Sequence, residues 1–137
     1  MTSYEKIYGR FLNSMTDFNL ADLDDDTLRD MLKGWLHTAA IKVRTSSNLS
    51  YDDELEVFNN DLRDIDIELL AMGMRLSWLD QKINSTEYTN LFVAGKEEKF
   101  HSPSSQLSEL RVLRADTLRE MQQLYTYDTY VNNSYFD

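Results

Sequence analysis

The stretch 60–83 constrains the fold more than any other part of the chain. Leu62, Ile65, Leu69, Met72, Leu76, Leu79 and Ile83 follow one another at spacings of three and four, which places them on one stripe of a helix. Ile67, Leu70, Met74 and Trp78 form a second stripe, leaving a narrow polar strip with Asp64, Glu68, Arg75 and Asp80. A helix apolar on two faces has to be covered from both sides, so the spacing predicts a central helix with neighbours packed around it. One proline and four glycines among 137 residues agree with this, because all-β folds use many more of both in their turns.

The flanking segments supply the neighbours. Ser3 is placed to cap a first helix whose apolar face is Tyr4, Ile7, Tyr8, Phe11, Leu12 and Met15. Residues 16–23 lack a period and read as a connector pinned to the core by Phe18, Leu20 and Leu23. The acidic run Asp22, Asp24, Asp25, Asp26 offers oxygens at the first, third and fifth positions of a calcium loop. Its sixth position is Thr27 where the turn needs glycine, and its twelfth is Lys33 where a bidentate glutamate is needed. The run therefore reads as capping and first-turn charge for a second helix over 27–44, with Leu28, Met31, Leu32, Trp35, Leu36, Ala39 and Val43 on one side. After a polar loop at 45–51, the acidic piece 52–59 allows either further helix or an irregular approach to the central helix.

Beyond the central helix, 84–86 reads as a stop, and Tyr88, Leu91, Phe92 and Val93 as a short apolar turn or helix closing the bundle. The charged loop from Gly95 lacks the upstream glycine and following hydroxyl of a phosphate loop. Ser102 followed by Pro103 starts a fourth helix to about Tyr125, with Leu107, Leu110, Leu113, Leu118, Met121 and Leu124 inward and Arg111, Arg114, Arg119 and Glu120 outward. The last thirteen residues, YTYDTYVNNSYFD, hold Tyr125, Tyr127, Tyr130, Tyr135 and Phe136 after that period stops. A strip so aromatic is expected either to fold back over its own domain or to dock on a partner. The fold expected is all-α: a small bundle of about four main helices around a long central helix, with an extended C-terminal arm. The bundle would span 1–124 and the arm 125–137.

Composition narrows the function. With 24 acidic against 14 basic side chains the formal charge is −10, which repels phosphate backbones and disfavours nucleic-acid binding by a broad basic face. The absence of cysteine removes disulfides and thiolate metal sites and fits an intracellular origin. MTSYEKIYGR has no basic leader followed by an apolar stretch, and the longest apolar run, around 69–74, is far short of the roughly twenty residues that cross a bilayer. A soluble protein without a signal peptide is the expectation, so the Asn-x-Ser/Thr matches at Asn48, Asn84 and Asn132 carry little weight.

Catalysis needs convergent groups that exchange protons, attack or hold metal. His37 lies mid-helix and His101 in a charged loop, and both read as structural or solvated. No His-Glu-x-x-His and no serine in a nucleophile elbow occurs. The expectation is a protein that is not an enzyme, with no catalytic residues, no cofactor and no metal.

Four segments, SYEKIYGRFLNSMTDFNL, NDLRDIDIELLAMGMRLSWL, GKEEKFHSPSSQLSELRVLRAD and YDTYVNNSYF, carry a resemblance over nearly the whole chain. In order and character the chain resembles the head-tail connector, or adaptor, proteins of the siphophage neck in tailed bacteriophages. The resemblance implies a virion structural protein assembled in the host cytoplasm as a homo-oligomeric ring, usually a dodecamer, beneath the portal protein at the head-tail interface. Such a ring extends the DNA channel and seats the stopper, or head-completion or tail-completion, protein; DNA passes through without sequence-specific binding, and no membrane is involved. It also implies portal contact through the C-terminal arm, which assigns Tyr127, Tyr130, Val131, Tyr135 and Phe136 to portal docking. A different reading of the same residues is a small acidic helical regulatory protein that binds another protein through its acidic faces.

Overall fold

A computed structural model describes residues 1–15, 24–45, 47–93 and 103–132. In chain order the elements are β1 (Thr2–Ser3), α1 (Tyr4–Asn13), α2 (Asp25–Lys42), β2 (Tyr51–Asp52), β3 (Val57–Phe58), α3 (Asp64–Val93) and α4 (Pro103–Asn132). The expected helical bundle around a central helix is present. The connector at 16–23 and the loop at 95–102, with His101 and Ser102, lie outside the described residues.

Local chemistry explains the helix starts. The Ser3 hydroxyl accepts the Glu5 N–H at 3.2 Å, and behind this cap Tyr4, Ile7, Tyr8 and Phe11 are buried. Asp24 accepts the Thr27 N–H at 2.7 Å, while Asp25 and Asp26 sit in the first turn of α2 and Lys42 in its last. A side-chain cap of this kind contributes about 1 kcal/mol, and carboxylates favour the positive end of the helix dipole. The Asp24 carboxyl is held below its ordinary pKa by that Thr27 bond.

Between Asp66 and Asp80 no residue of helix α3 is exposed. Leu69, Leu70, Met74 and Leu79 have no exposed surface, and burying each contributes roughly 1.5–3 kcal/mol. Even the polar strip is used: Glu68 pairs with Arg10 of α1, Arg75 approaches Glu120 of α4 at 3.8 Å, and Asp80 accepts from Arg114 of α4 at 2.6 Å. On the α2 side Gly73 lets the two helices touch. A Cβ built there would lie 2.6 Å from a Val43 methyl and 2.8 Å from the Ala39 Cβ.

Four expectations need correction, three of them in the helices. The stop at 84–86 is absent, because α3 runs through to Val93. Asn, Ser and Thr cost only about 0.7 kcal/mol each or less relative to alanine in a helix, and no glycine or proline stands there to force an end. Helix α4 likewise passes Tyr125 and continues to Asn132, so the expected extended arm is helical through that residue and the boundary at 124/125 falls inside a helix. The inward face of α4 also differs: Leu118 is exposed and Thr117 is fully buried. The stripe facing α3 is Leu107, Leu110, Arg114, Thr117, Met121, Leu124 and Asp128, a three-four alternation in which polar members bond to α3 instead of interrupting the helix.

The acidic piece 52–59 is neither helix nor irregular approach but a tight hairpin. β2 and β3 pair antiparallel, Tyr51 opposite Phe58, and β1 adds to the far edge, Thr2 opposite Phe58, giving the order β1-β3-β2. Asp52 starts the turn by accepting the Glu54 and Leu55 N–H groups at 2.9 and 3.2 Å. Glu56 takes φ 55, the left-handed region, at a cost of roughly 1–2 kcal/mol. It is held there by its carbonyl, which accepts the Tyr4 N–H at 2.9 Å, and by ion pairs to Arg29 at 3.3 Å and Lys33 at 3.6 Å.

Because the Gly73 contact has backbone and short side chains on the other side, Gly73→Ala is expected to destabilise the protein by about 1–3 kcal/mol. Thermal melting followed by circular dichroism should show a fall of several degrees with helix content unchanged.

Candidate docking face on the last helix

Of the five residues assigned to docking, Tyr127, Tyr130 and Val131 lie on the final two turns of α4 and are 62%, 60% and 53% exposed. Tyr135 and Phe136 lie outside the described residues. The other side of the same turns is fastened to the bundle. Arg63 donates to both oxygens of Asp128, at 2.9 and 3.0 Å, and to both oxygens of Asp66, at 3.1 and 3.0 Å. Asp66 is fully buried and also accepts from the Ser47 hydroxyl. Bonds to Asp128 first, then Asp66, raise the Arg63 pKa still further above its ordinary value. One turn earlier the Tyr125 hydroxyl accepts the Arg44 N–H at 3.2 Å, and the Arg44 guanidinium stands 4.7 Å over the Tyr125 ring.

Tyrosines alternate in role along this segment. Tyr125 and Asp128 face inward and fasten it, while Tyr127, Tyr130 and Val131 present apolar surface outward. A hollow of about 430 Å³ runs along the outward side, lined by Arg119, Gln122, Gln123, Thr126, Tyr127 and Tyr130. Tyr127 also stands at the rim of a groove of about 710 Å³ between α1, the start of α3 and the end of α4, with Gly9, Ile65 and Leu124 on its walls. Large amphipathic side chains on a fixed backbone lose little entropy on binding, which suits them to a protein interface. The fastening residues Arg44, Arg63, Asp66, Tyr125 and Asp128 were not legible as a set. Only Asp128 carried a signal, since it continues the three-four stripe begun at Leu107.

His37 belongs to a second polar cluster. Its Nε2 lies 3.0 Å from an Asp53 oxygen that also accepts the Tyr4 hydroxyl at 2.7 Å, and its ring lies between those of Tyr4 and Tyr51. This cluster joins the hairpin to α1 and α2. Among the described residues no group of three or more His, Asp or Glu side chains is arranged to hold a metal ion, and no helix there is long and apolar enough to cross a membrane.

Removing the guanidinium leaves a buried carboxylate uncompensated, so Arg63→Ala is expected to cost about 3–5 kcal/mol. Asp128→Asn keeps Asp66 paired and should act locally: hydrogen exchange at 125–132 should quicken while the urea midpoint moves little. The Tyr4–Asp53 bond couples to pH at both ends. The Tyr4 bond, foremost among the causes, lowers the Asp53 pKa, so its contribution is present above the ordinary value of 3.8 and is lost as pH falls below it. Burial, then the bond to Asp53, raises the Tyr4 pKa, so that contribution is present below 10.0 and is lost as pH rises above it. Tyr4→Phe should therefore flatten the acid and alkaline limbs of a plot of urea midpoint against pH. Part of the alkaline limb should survive through buried Tyr8, whose pKa is raised in the same direction, first by burial.

Comparison with known proteins bears on origin. The YomZ prophage protein family matches residues 1–128, from the first strand to the Asp128 anchor. The SPbeta prophage-derived uncharacterized protein YomZ of Bacillus subtilis (strain 168) is 31% identical over 91 residues, 65% of this chain and 67% of that protein. No solved structure matches. The chain is thus of phage origin and belongs to the YomZ prophage protein family.

Proposed function

We propose that this phage protein is a head-tail connector that docks on the portal through the outward side of α4. The observation that carries the reading is the exposed trio Tyr127, Tyr130 and Val131, fixed in place from behind by Arg63 and Arg44. An aromatic surface rigid before binding fits a permanent structural contact, where ordering on assembly would weaken the joint. Tyr135 and Phe136 extend the same docking surface in this reading. The ring assembled on the portal, a dodecamer where it matches the portal's symmetry, continues the DNA channel and seats the stopper or tail-completion protein in the neck of the virion. The −10 charge suits a channel wall, since a basic one would retain the passing phosphates.

The test is co-sedimentation with purified portal rings, imaged by negative stain. Wild-type protein should add a layer of density below the portal, and Tyr130→Asp, in protein whose helix content is unchanged by circular dichroism, should abolish it. Deleting the end of α4 is a poorer probe, since it removes the Asp128 anchor along with the face. Wild-type protein that leaves the portal bare, or Tyr130→Asp protein that binds as well as wild type, overturns the proposal. A complex formed instead with a soluble protein through the acidic faces, indifferent to Tyr130, would support the regulatory reading.

A further inference from the structure

The outward side of α2 has a feature that the fold of one chain does not explain. Asp30, Gly34, Thr38 and Ile41 share that side, and Ile41 is 84% exposed. Gly34 stands in the helix interior, where glycine costs roughly 0.5–1 kcal/mol relative to alanine. Its φ is not positive, and apart from its chain neighbours and the backbone of its own helix no described atom lies within 4 Å of where its Cβ would be. Among the described residues neither backbone conformation nor packing requires it. What glycine does there is lower the helix surface so that another helix can lie close.

Helix α4 offers the matching side. Val112 and Leu118 are 58% and 42% exposed, with Ala115 between them on the outward surface. The two helices are level with each other. Trp35 donates to Gln81 at 3.0 Å and Arg114 to the adjacent Asp80 at 2.6 Å, so Trp35 and Arg114 sit at one height along α3. Arg44 and Tyr125 touch directly, which fixes a second height. Helices α2 and α4 therefore run parallel on two sides of α3. Gly34 falls level with Val112 and Ala115, while Asp30 and Arg111, like Ile41 and Leu118, lie within about one turn of each other's height.

We propose that copies of this chain associate head to tail, the α2 face of one copy against the α4 face of the next, with Val112 seated over Gly34. The occupant is a second copy because rotation about an axis parallel to α3 keeps every residue at its own height. Residues level within one chain then meet between chains, opposite charges at Asp30 and Arg111 among them. The two faces lie on different helices, so the contact is heterologous and leaves one of each face open for the next copy. This inference rests on the ring reading above and names the surfaces that would build it. Each copy carries a net charge of −10, so association should strengthen as salt screens the repulsion.

The chain has no cysteine, which makes disulfide trapping clean. Gly34→Cys/Val112→Cys, oxidised with diamide alone and on portal rings, should give a ladder of covalent multimers, because the paired Cα atoms would come within disulfide reach. The two single variants mixed should stop at a linked dimer. Gly9→Cys/Val112→Cys is the control, since Gly9 also has room for a Cβ but lies on α1. Gly34→Ala should raise the melting temperature while shifting sedimentation toward monomer. No ladder beyond the control under either condition, a strong dimer from Gly34→Cys alone, or full association of Gly34→Ala overturns the proposal. Portal capture is read separately: a portal layer without a ladder condemns only the α2–α4 contact, and a ladder without a portal layer condemns only the docking reading.

Discussion

Helix α3 exposes too much apolar surface, on too many sides, to be stable next to water, and the rest of the molecule follows from covering it. Three helices are the fewest that enclose a fourth, and α1, α2 and α4 do so. Each uses a different means of close approach. Helix α1 brings aromatic side chains, among them Phe11 packed on Trp35 at 5.7 Å. Helix α2 comes so near that glycine is required at Gly73. Helix α4 adds polar bonds to the apolar stripe, at Arg114, Thr117 and Asp128. The small sheet is secondary to this: it clamps the start of α1 to the hairpin that precedes α3.

The Arg63 bridge shows how a buried polar group specifies position as well as stability. A lone Asp66 in the interior would be costly, and two carboxylates sharing one guanidinium are acceptable only if both are held in the right place. That requirement sets where Asp128 must be, and so the rotation of the final turns of α4. With Tyr125 held by Arg44, the direction in which Tyr127, Tyr130 and Val131 project is fixed from the inside of the protein. The outward surface is thus determined by inward bonds.

The chain joins phage origin to an acidic composition and an exposed aromatic face on its last helix, the features on which the proposed connector role rests. A mostly helical chain of this size presents distinct surfaces in several directions at once. The exposed end of α4, the middle of α4 and the outward side of α2 are separate surfaces, so the portal and sister-copy contacts proposed above do not compete.

Much of this was legible in the chain itself. The two stripes of α3, the caps at Ser3 and Asp24 and the start at Pro103 were readable because each depends on residues within a few positions of one another. The ends of α3 and α4 were not, since weak local stop signals were overridden by packing and by side chains bonded across the bundle. The hairpin at 51–58 escaped for the same reason: two-residue strands have no period, and β3 pairs with β1, which lies more than fifty residues away. The sequence by itself determined that a helix apolar on two sides must be surrounded, because hydrophobic periodicity is a property of neighbouring residues. Only the tertiary structure decided that the aromatic strip is half anchor and half surface, because that division depends on Arg44 and Arg63, which reach it from eighty-one and sixty-five positions away.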